Sequence, residues 1–380
     1  MRLFNISLIS FSLLLCLQVY GQEPSGLLLY DAPSLKAMKE EFLQNNKAGT
    51  ALKKIKQADS AMLKGPFSVT FEKTKLAPSG DIHDYLSQAP YWWADPSKKN
   101  GEPYIRKDGQ RNPEIYRLHD RFQLGNLSVV VEDLSMGYFI SGDEKYAKRA
   151  NELLKIFFID PATAMNPNLK YAQYIPGLND GRGIGIIETR GLIDIPESIA
   201  LLAGSKSLKE ETIAGVKKWF SDYLFWLRES PNGKSEVKEK NNHGTNYDLQ
   251  VIDFALFTGN KDLAKDILTA ITIPRLEVQI DPDGRQPLET ARTNSWDYVN
   301  MNLDAWFKLA RLSEHLGIDL WRQVNSKASG IKTAVAWLIP YASGEKKWPY
   351  QQLNAFGKGE VNSIMQRARV KYPDLDYSKL

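Results

Sequence analysis

From residue 118 onward the chain reads almost continuously as helix. Apolar residues recur at three- and four-residue spacing over 118–140 and, after a Ser-Gly-Asp turn, over 143–159. That spacing is the stripe an amphipathic helix buries. Further helices are expected at 187–204, 207–228, 246–258, 260–271, 296–316, 326–341 and 359–370. An earlier helical region, 33–64, is rich in Lys, Glu and Ala. Strand signals are scarce, the best being the short run 276–280. Such a pattern restricts the chain to an all-α fold of antiparallel helix hairpins joined by alternating short and long connections. With 380 residues, 43% of them hydrophobic, a large core is available. No repeat and no linker interrupts the pattern, so residues 22–380 are expected to form one domain.

Two stretches escape the helical pattern. Residues 65–117 are rich in Pro, Gly, Asp and aromatics, and residues 161–185 in Asn, Pro and Tyr. Irregular segments of this length inside a compact protein are usually functional or have short structure of their own. The first carries Tyr85, Tyr91, Trp92, Trp93 and Tyr104, which either stack on sugar rings or fill the core.

The first residues have their own logic. Met1-Arg2, an apolar run over 6–19 and then Gly21-Gln22 make a secretory signal, with cleavage expected after Gly21. Cys16, the only cysteine, lies inside the apolar run and follows three leucines, which argues against lipidation. Its removal leaves a chain with no disulfide and no thiol chemistry. No later segment is long and apolar enough to span a membrane. An exported protein, periplasmic or secreted, is expected. The net charge is +4, or +3 once Arg2 is removed. That is too mild for nucleic-acid binding, but it allows a local basic groove for an acidic polymer.

Chemistry-bearing residues concentrate where polar runs enter helices. Residues 241–250 read Asn-Asn-His-Gly-Thr-Asn-Tyr-Asp-Leu-Gln and hold one of four histidines in the chain. Thr245 or Asn246 suits the helix N-cap. On a helix, His243, Tyr247 and Gln250 share a face. Residues 289–303 read Glu-Thr-Ala-Arg-Thr-Asn-Ser-Trp-Asp-Tyr-Val-Asn-Met-Asn-Leu and again lead into an apolar helix.

Together these stretches resemble the alginate lyase superfamily, the helical toroids of polysaccharide lyase family 5 and its relatives, with family 38 closest. A third match is Asp84-Tyr85, Ala89-Pro90-Tyr91-Trp92-Trp93 and Asp95-Pro96, followed by 101–106 and Asp108-Gly109. The resemblance implies an α/α toroid with a cleft at one end, and β-elimination of a 1,4-linked polyuronate. Mannuronate-rich alginate is the expected substrate and glucuronan the next. It also implies site residues. Asn242 and His243 fall on the family's Asn-His pair, as carboxylate neutralisers or, for His243, a base. Arg292 falls on the family's arginine, holding substrate and lowering the Tyr298 pKa. Tyr298 falls on its proton-shuttling tyrosine. The Arg292–Tyr298 spacing is one residue shorter than in the family 5 pattern, so Tyr247 stands as the alternative tyrosine.

Further substrate contacts are expected from Asn241, Tyr247, Gln123, Asn126, Tyr91, Trp92, Trp93, Gln173, Tyr174, Arg182 and Arg190. The run Gly181-Arg182-Gly183-Ile184-Gly185 lacks the ending of a phosphate loop and reads as a tight turn in the cleft wall. His83 and His315 read as ordinary. The histidines are too scattered for a metal motif, and the chemistry implied needs no cofactor. Two other classes remain. A glycoside hydrolase would need two flanking carboxyls, for which Asp180, Glu188 and Asp248 are available. A non-catalytic polysaccharide binder would need the aromatics and Arg292 without the His243–Tyr298 combination.

Overall fold

A computed structural model describes residues 26–44 and 49–380. The expected signal segment, with Arg2, Cys16 and Gly21, lies outside the described residues. The order begins with α1 (Ala32–Leu43), α2 (Thr50–Ala61), β1 (Leu86–Gln88), β2 (Trp92–Trp93) and β3 (Ile105–Arg106). It continues through α3 (Asp120–Ser141), α4 (Glu144–Phe158), β4 (Tyr171–Tyr174), α5 (Asp194–Leu201), α6 (Glu210–Glu229), α7 (Pro231–Glu236) and α8 (Asn242–Phe257). Then follow α9 (Lys261–Ile267), α10 (Ile273–Gln279), α11 (Pro287–Thr290), α12 (Ser295–Glu314), α13 (Ile331–Ala342) and α14 (Gly359–Lys371).

Neighbouring helices pack in sequence around a ring. α3 contacts α2, α4 and α5; α6 lies between α4 and α8; α8 lies along α12; and α12 meets α13 and α14. This is the α/α toroid. Residues 28–30 tie α5 to the end of α12. Glu197 of α5 accepts from the backbone of Leu28, Leu29 and Tyr30, while Arg311 and His315 reach the carbonyls of Tyr30 and Leu28. The core runs between the helices through Leu134, Leu153, Phe220, Phe254, Leu303 and Trp306, all buried.

The 33–64 region is helical as expected and holds two helices, α1 and α2. Several local expectations are corrected. Residues 276–280 are not a strand. Arg275, Leu276, Gln279 and Ile280 are buried while Glu277 and Val278 are exposed, so burial repeats as on a helix. β1 pairs in parallel with β4, and β2 antiparallel with β3, within the two stretches that read as irregular. Residues 183–193 form a 3-10 helix ahead of α5.

One buried group stands apart from the apolar packing. Asp253 on α8 is fully buried, and neither of its carboxylate oxygens has a hydrogen-bond partner among the described residues. Burial, with Glu197 and Asp194 nearby, pushes its pKa well above the usual carboxylate range.

Candidate active site

α8 starts earlier than its apolar run suggests. The N-cap is Asn241, not Thr245 or Asn246, and its side chain accepts from the His243 N–H at 3.1 Å. Three polar residues thus join the helix, and His243 sits in its first turn. The preceding loop is pinned by Arg275, which pairs with Asp248 and donates to the carbonyls of Val237 and Glu239. Gly244 makes this possible. A Cβ there would lie 2.1 Å from the Glu239 carbonyl oxygen and 2.4 Å from Arg275 Nη1.

The two neighbours Asn242 and His243 point to different tasks. His243 lines a cleft of about 370 Å³, and its Nδ1 lies 2.8 Å from Glu236 Oε1 on α7. Burial pushes Glu236 above the usual carboxylate range, while His243 pulls it back down. With Nδ1 so engaged, Nε2 is the ring nitrogen left for the cleft. Asn242 does not line the cleft. It is fully buried, and both its backbone N–H and its Nδ2 donate to Glu289, at 2.6 and 2.7 Å. The expected direct neutralising role is corrected accordingly: Asn242 holds the start of α8 to the segment that carries Arg292. Asn241 lines the cleft in its place.

α12 begins at the same cleft and presents Tyr298 in its first turn. Arg292 Nη2 donates to the Tyr298 hydroxyl at 3.1 Å, and the guanidinium lies 4.1 Å from the tyrosine ring centre. The β2–β3 hairpin covers them. Tyr91 places its hydroxyl 2.9 Å from that of Tyr298, and Asp108 pairs with Arg292 at 3.1 Å. The Tyr298 pKa is raised, first by burial, then by Tyr91, with Arg292 opposing. Arg292 lowers it as expected, but loss of water outweighs one guanidinium already shared with Asp108, so the net shift is upward and Tyr298 rests as a phenol.

Around this centre stand Arg106, Arg111, Arg121, Arg182, Arg190 and Arg292, with Glu239 as the one carboxylate on the lining among the described residues. Arg182 donates to Gln173 Oε1 at 2.8 Å and faces the Trp92 ring. Burial and Arg106 push its pKa down to about 10. Gln173 adopts φ 51°, an uncommon conformation for a non-glycine residue, and links Arg182 to Glu188. Arg190 is also depressed by burial and by Arg121. Such desolvated, like-charged guanidinia favour an anion between them.

Five expected contacts fall elsewhere. Tyr247 is core; its hydroxyl donates to the Leu227 carbonyl at 2.8 Å, because α6 covers that face of α8. Gln123 accepts from the Ser68 N–H, and Asn126 is exposed on α3 away from the cleft. Trp93 donates its ring N–H to the Gln110 carbonyl, since alternate residues of β2 face opposite sides. By the same alternation Tyr174 faces a second cavity of about 780 Å³ behind the β1–β4 pair, while Gln173 faces the cleft. Arg106, Arg111, Arg121, Glu236 and Glu289 were not singled out by sequence. Arg106, Asp108 and Glu289 did lie within the motif stretches.

The carboxyls offered for hydrolysis are engaged or remote. Asp248 is paired with Arg275, Glu188 accepts from Tyr85, Ser87 and Gln173, and Asp180 lines the second cavity. Among the described residues, no group of three or more His, Cys, Asp or Glu is placed to hold a metal ion.

A cleft so rich in guanidinium selects an acidic polymer, and its tyrosine and histidine offer proton transfer rather than the paired carboxyls of a hydrolase. The protein is a polysaccharide lyase on an α/α toroid. The profile of the family described as Alginate lyase matches residues 68–348. The crystal structure of an alginate lyase from Bacteroides ovatus is 40% identical, covers 91% of this chain and 92% of its own, and superposes with a TM-score of 0.87. The chain belongs to the alginate lyase family. Alginate lyase A1-III from Sphingomonas species A1 is 15% identical over 93% of this chain and 90% of its own, with a TM-score of 0.55. A variant of A1-III complexed with tetrasaccharide is 16% identical over the same shares, with a TM-score of 0.56. These two are similar in fold. None of the curated proteins matches the chain.

Proposed function

We propose that the protein cleaves 1,4-linked polyuronate, above all mannuronate-rich alginate, by β-elimination to unsaturated oligouronates. The observation that carries this reading is the Arg292–Tyr298–Tyr91 contact inside an arginine-lined cleft. In mannuronate the C5 proton and the C4 oxygen lie on one side of the ring, so one residue serves both. Tyr298, once ionised, takes the C5 proton; the C–H electron pair becomes the C4=C5 double bond; the C4–O bond breaks; and Tyr298 returns the proton to the leaving oxygen. His243 Nε2 and the Asn241 amide hold the substrate carboxylate, where charge develops. Arg292 stabilises the phenolate. Asn242 acts from behind, by fixing His243 and Asn241. Trp92, Gln173, Arg182 and Arg190 bind neighbouring sugars.

Guluronate presents its C5 proton on the opposite face. The contact between His243 and Glu236 favours His243 as the base for that substrate. The test is incubation with polymannuronate, polyguluronate and glucuronan, following the near-ultraviolet absorbance of the conjugated product. Reducing ends without absorbance would mean hydrolysis, and neither signal would mean a binder. We further propose an exported protein with a single lyase domain after residue 21. Intact mass of the native chain tests the cleavage.

A further inference from the structure

Asp108 follows β3 and closes on the Arg292 segment from above. Its Oδ1 accepts from Arg292 Nη2 at 3.1 Å and from Arg106 Nη2 at 2.7 Å. Its Oδ2 accepts from Arg292 Nε at 3.3 Å and from the Thr293 hydroxyl at 3.1 Å. The docking is close: a Cβ on the next residue, Gly109, would lie 2.3 Å from Thr293 Oγ1, and Gly109 adopts φ +72°. Arg292 Nη2 therefore gives one proton to a carboxylate and the other to the Tyr298 hydroxyl. A fixed anion and an ionisable phenol compete for one nitrogen.

The charged and titratable groups around this nitrogen are few. Tyr298 is faced by Arg292, Tyr91 and Asp108. Asp108 is faced by Arg292 and Arg106, which hold it below the usual carboxylate range. Arg292 is faced by Asp108, Tyr298 and Glu289. A carboxylate in contact with a guanidinium cancels much of the field that the cation would exert on a third group.

We propose that Asp108 is a positioning residue that sets the proton balance of Tyr298, by occupying the edge of Arg292 that would otherwise stabilise the phenolate. The proposal rests on the reading of Tyr298 as the proton shuttle. Asp108 keeps the tyrosine a proton donor in the unliganded cleft. Arg106 tempers this by sharing the Asp108 charge, so the two residues act with opposite signs.

The test uses the full chain with Asp108→Asn and, separately, Arg106→Gln. Tyrosinate absorbance is titrated without substrate, each protein being compared with the same protein carrying Tyr298→Phe, so that only Tyr298 is read. The pH profile of kcat/KM on polymannuronate is measured alongside. Asp108→Asn is near-isosteric and is expected to lower the pH at which Tyr298 ionises by about one unit. The limb of the kcat/KM profile should move with it. Arg106→Gln should move both upward. A Tyr298 titration unmoved or raised by Asp108→Asn, or a limb that stays put while the titration moves, overturns the proposal. Loss of the elimination reading shows separately, as a wild-type protein that gives no unsaturated product from any polyuronate.

Discussion

The hydroxyl oxygens of Tyr91 and Tyr298 lie 2.9 Å apart across 207 residues of sequence. One comes from the edge of a hairpin and the other from the first turn of α12, so the pair exists only when the hairpin is seated on the toroid. It places a second phenol on the group that the proposed elimination deprotonates and reprotonates.

Replacing Tyr298 by Phe keeps the ring against Arg292 and removes the ionisable oxygen. Turnover of polymannuronate should fall by about a hundredfold to ten-thousandfold, with circular dichroism and oligosaccharide binding largely unchanged. Tyr91→Phe should cost less, on the order of tenfold, by removing one hydrogen bond. Tyr247→Phe should leave turnover near wild type while lowering stability by about 1 kcal/mol, for the lost bond to Leu227. A dead Tyr247→Phe beside an active Tyr298→Phe would reverse the assignment.

The pH dependence follows from the raised pKa of Tyr298. In the proposed mechanism Tyr298 is the base; a base must be deprotonated to act, and burial holds this one as a phenol. Lowering the pH therefore removes the small ionised fraction, and raising it increases that fraction. The kcat/KM for polymannuronate should climb through neutral pH into the alkaline range. A profile that rises through pH about 6.5 and then levels off, as for an imidazole base, would point to a histidine instead.

Substrate capture by the arginines should be sensitive to salt. Raising ionic strength should lower kcat/KM by increasing KM, since surface-accessible charges are screened beyond about 8 Å in physiological salt. Arg182→Ala should raise KM about tenfold or more with a smaller change in kcat, if Arg182 binds a neighbouring sugar as proposed instead of touching the reacting atoms. A kcat effect without a KM effect would move Arg182 into the reacting centre.

Asp253 gives a stability prediction far from catalysis. Its folded pKa lies above the unfolded value of about 3.9. Between those two values the folded state binds more protons, so stability falls as pH rises from about 4 through the folded pKa. Asp253→Asn is neutral throughout. It should raise the melting temperature at pH 8 more than at pH 5, by an amount on the order of 1–3 kcal/mol in stability. A lower melting temperature at pH 8 would mean that the carboxylate is ionised and bound there.

The helices after residue 118 were legible because a one-sided apolar stripe is a local pattern. That His243, Arg292 and Tyr298 belong together was legible through the family resemblance of their motifs, and the three line one cleft. Asn242 and Tyr247 show the limit. Their neighbours in sequence face the cleft, but the direction of each side chain is set by Glu289 and by α6, which lie far along the chain. The arginines show the same limit from the other side. Arg106, Arg111, Arg121, Arg182 and Arg190 come from separate loops and helices, and a net charge of +4 says nothing about their convergence. The 276–280 run was misread because its three apolar residues, Leu276, Val278 and Ile280, alternate as in a strand, although only Leu276 and Ile280, about one helical turn apart, are buried.

The hairpin bears on Tyr298 from both ends, through Tyr91 before β2 and Asp108 after β3. In one short unit it also carries Trp92 and Arg106, which line the cleft. A lineage that alters this hairpin to accept a different polymer therefore alters the ionisation of its tyrosine in the same step. Substrate range and working pH would be inherited as one trait, and grafting the hairpin between relatives should transfer both.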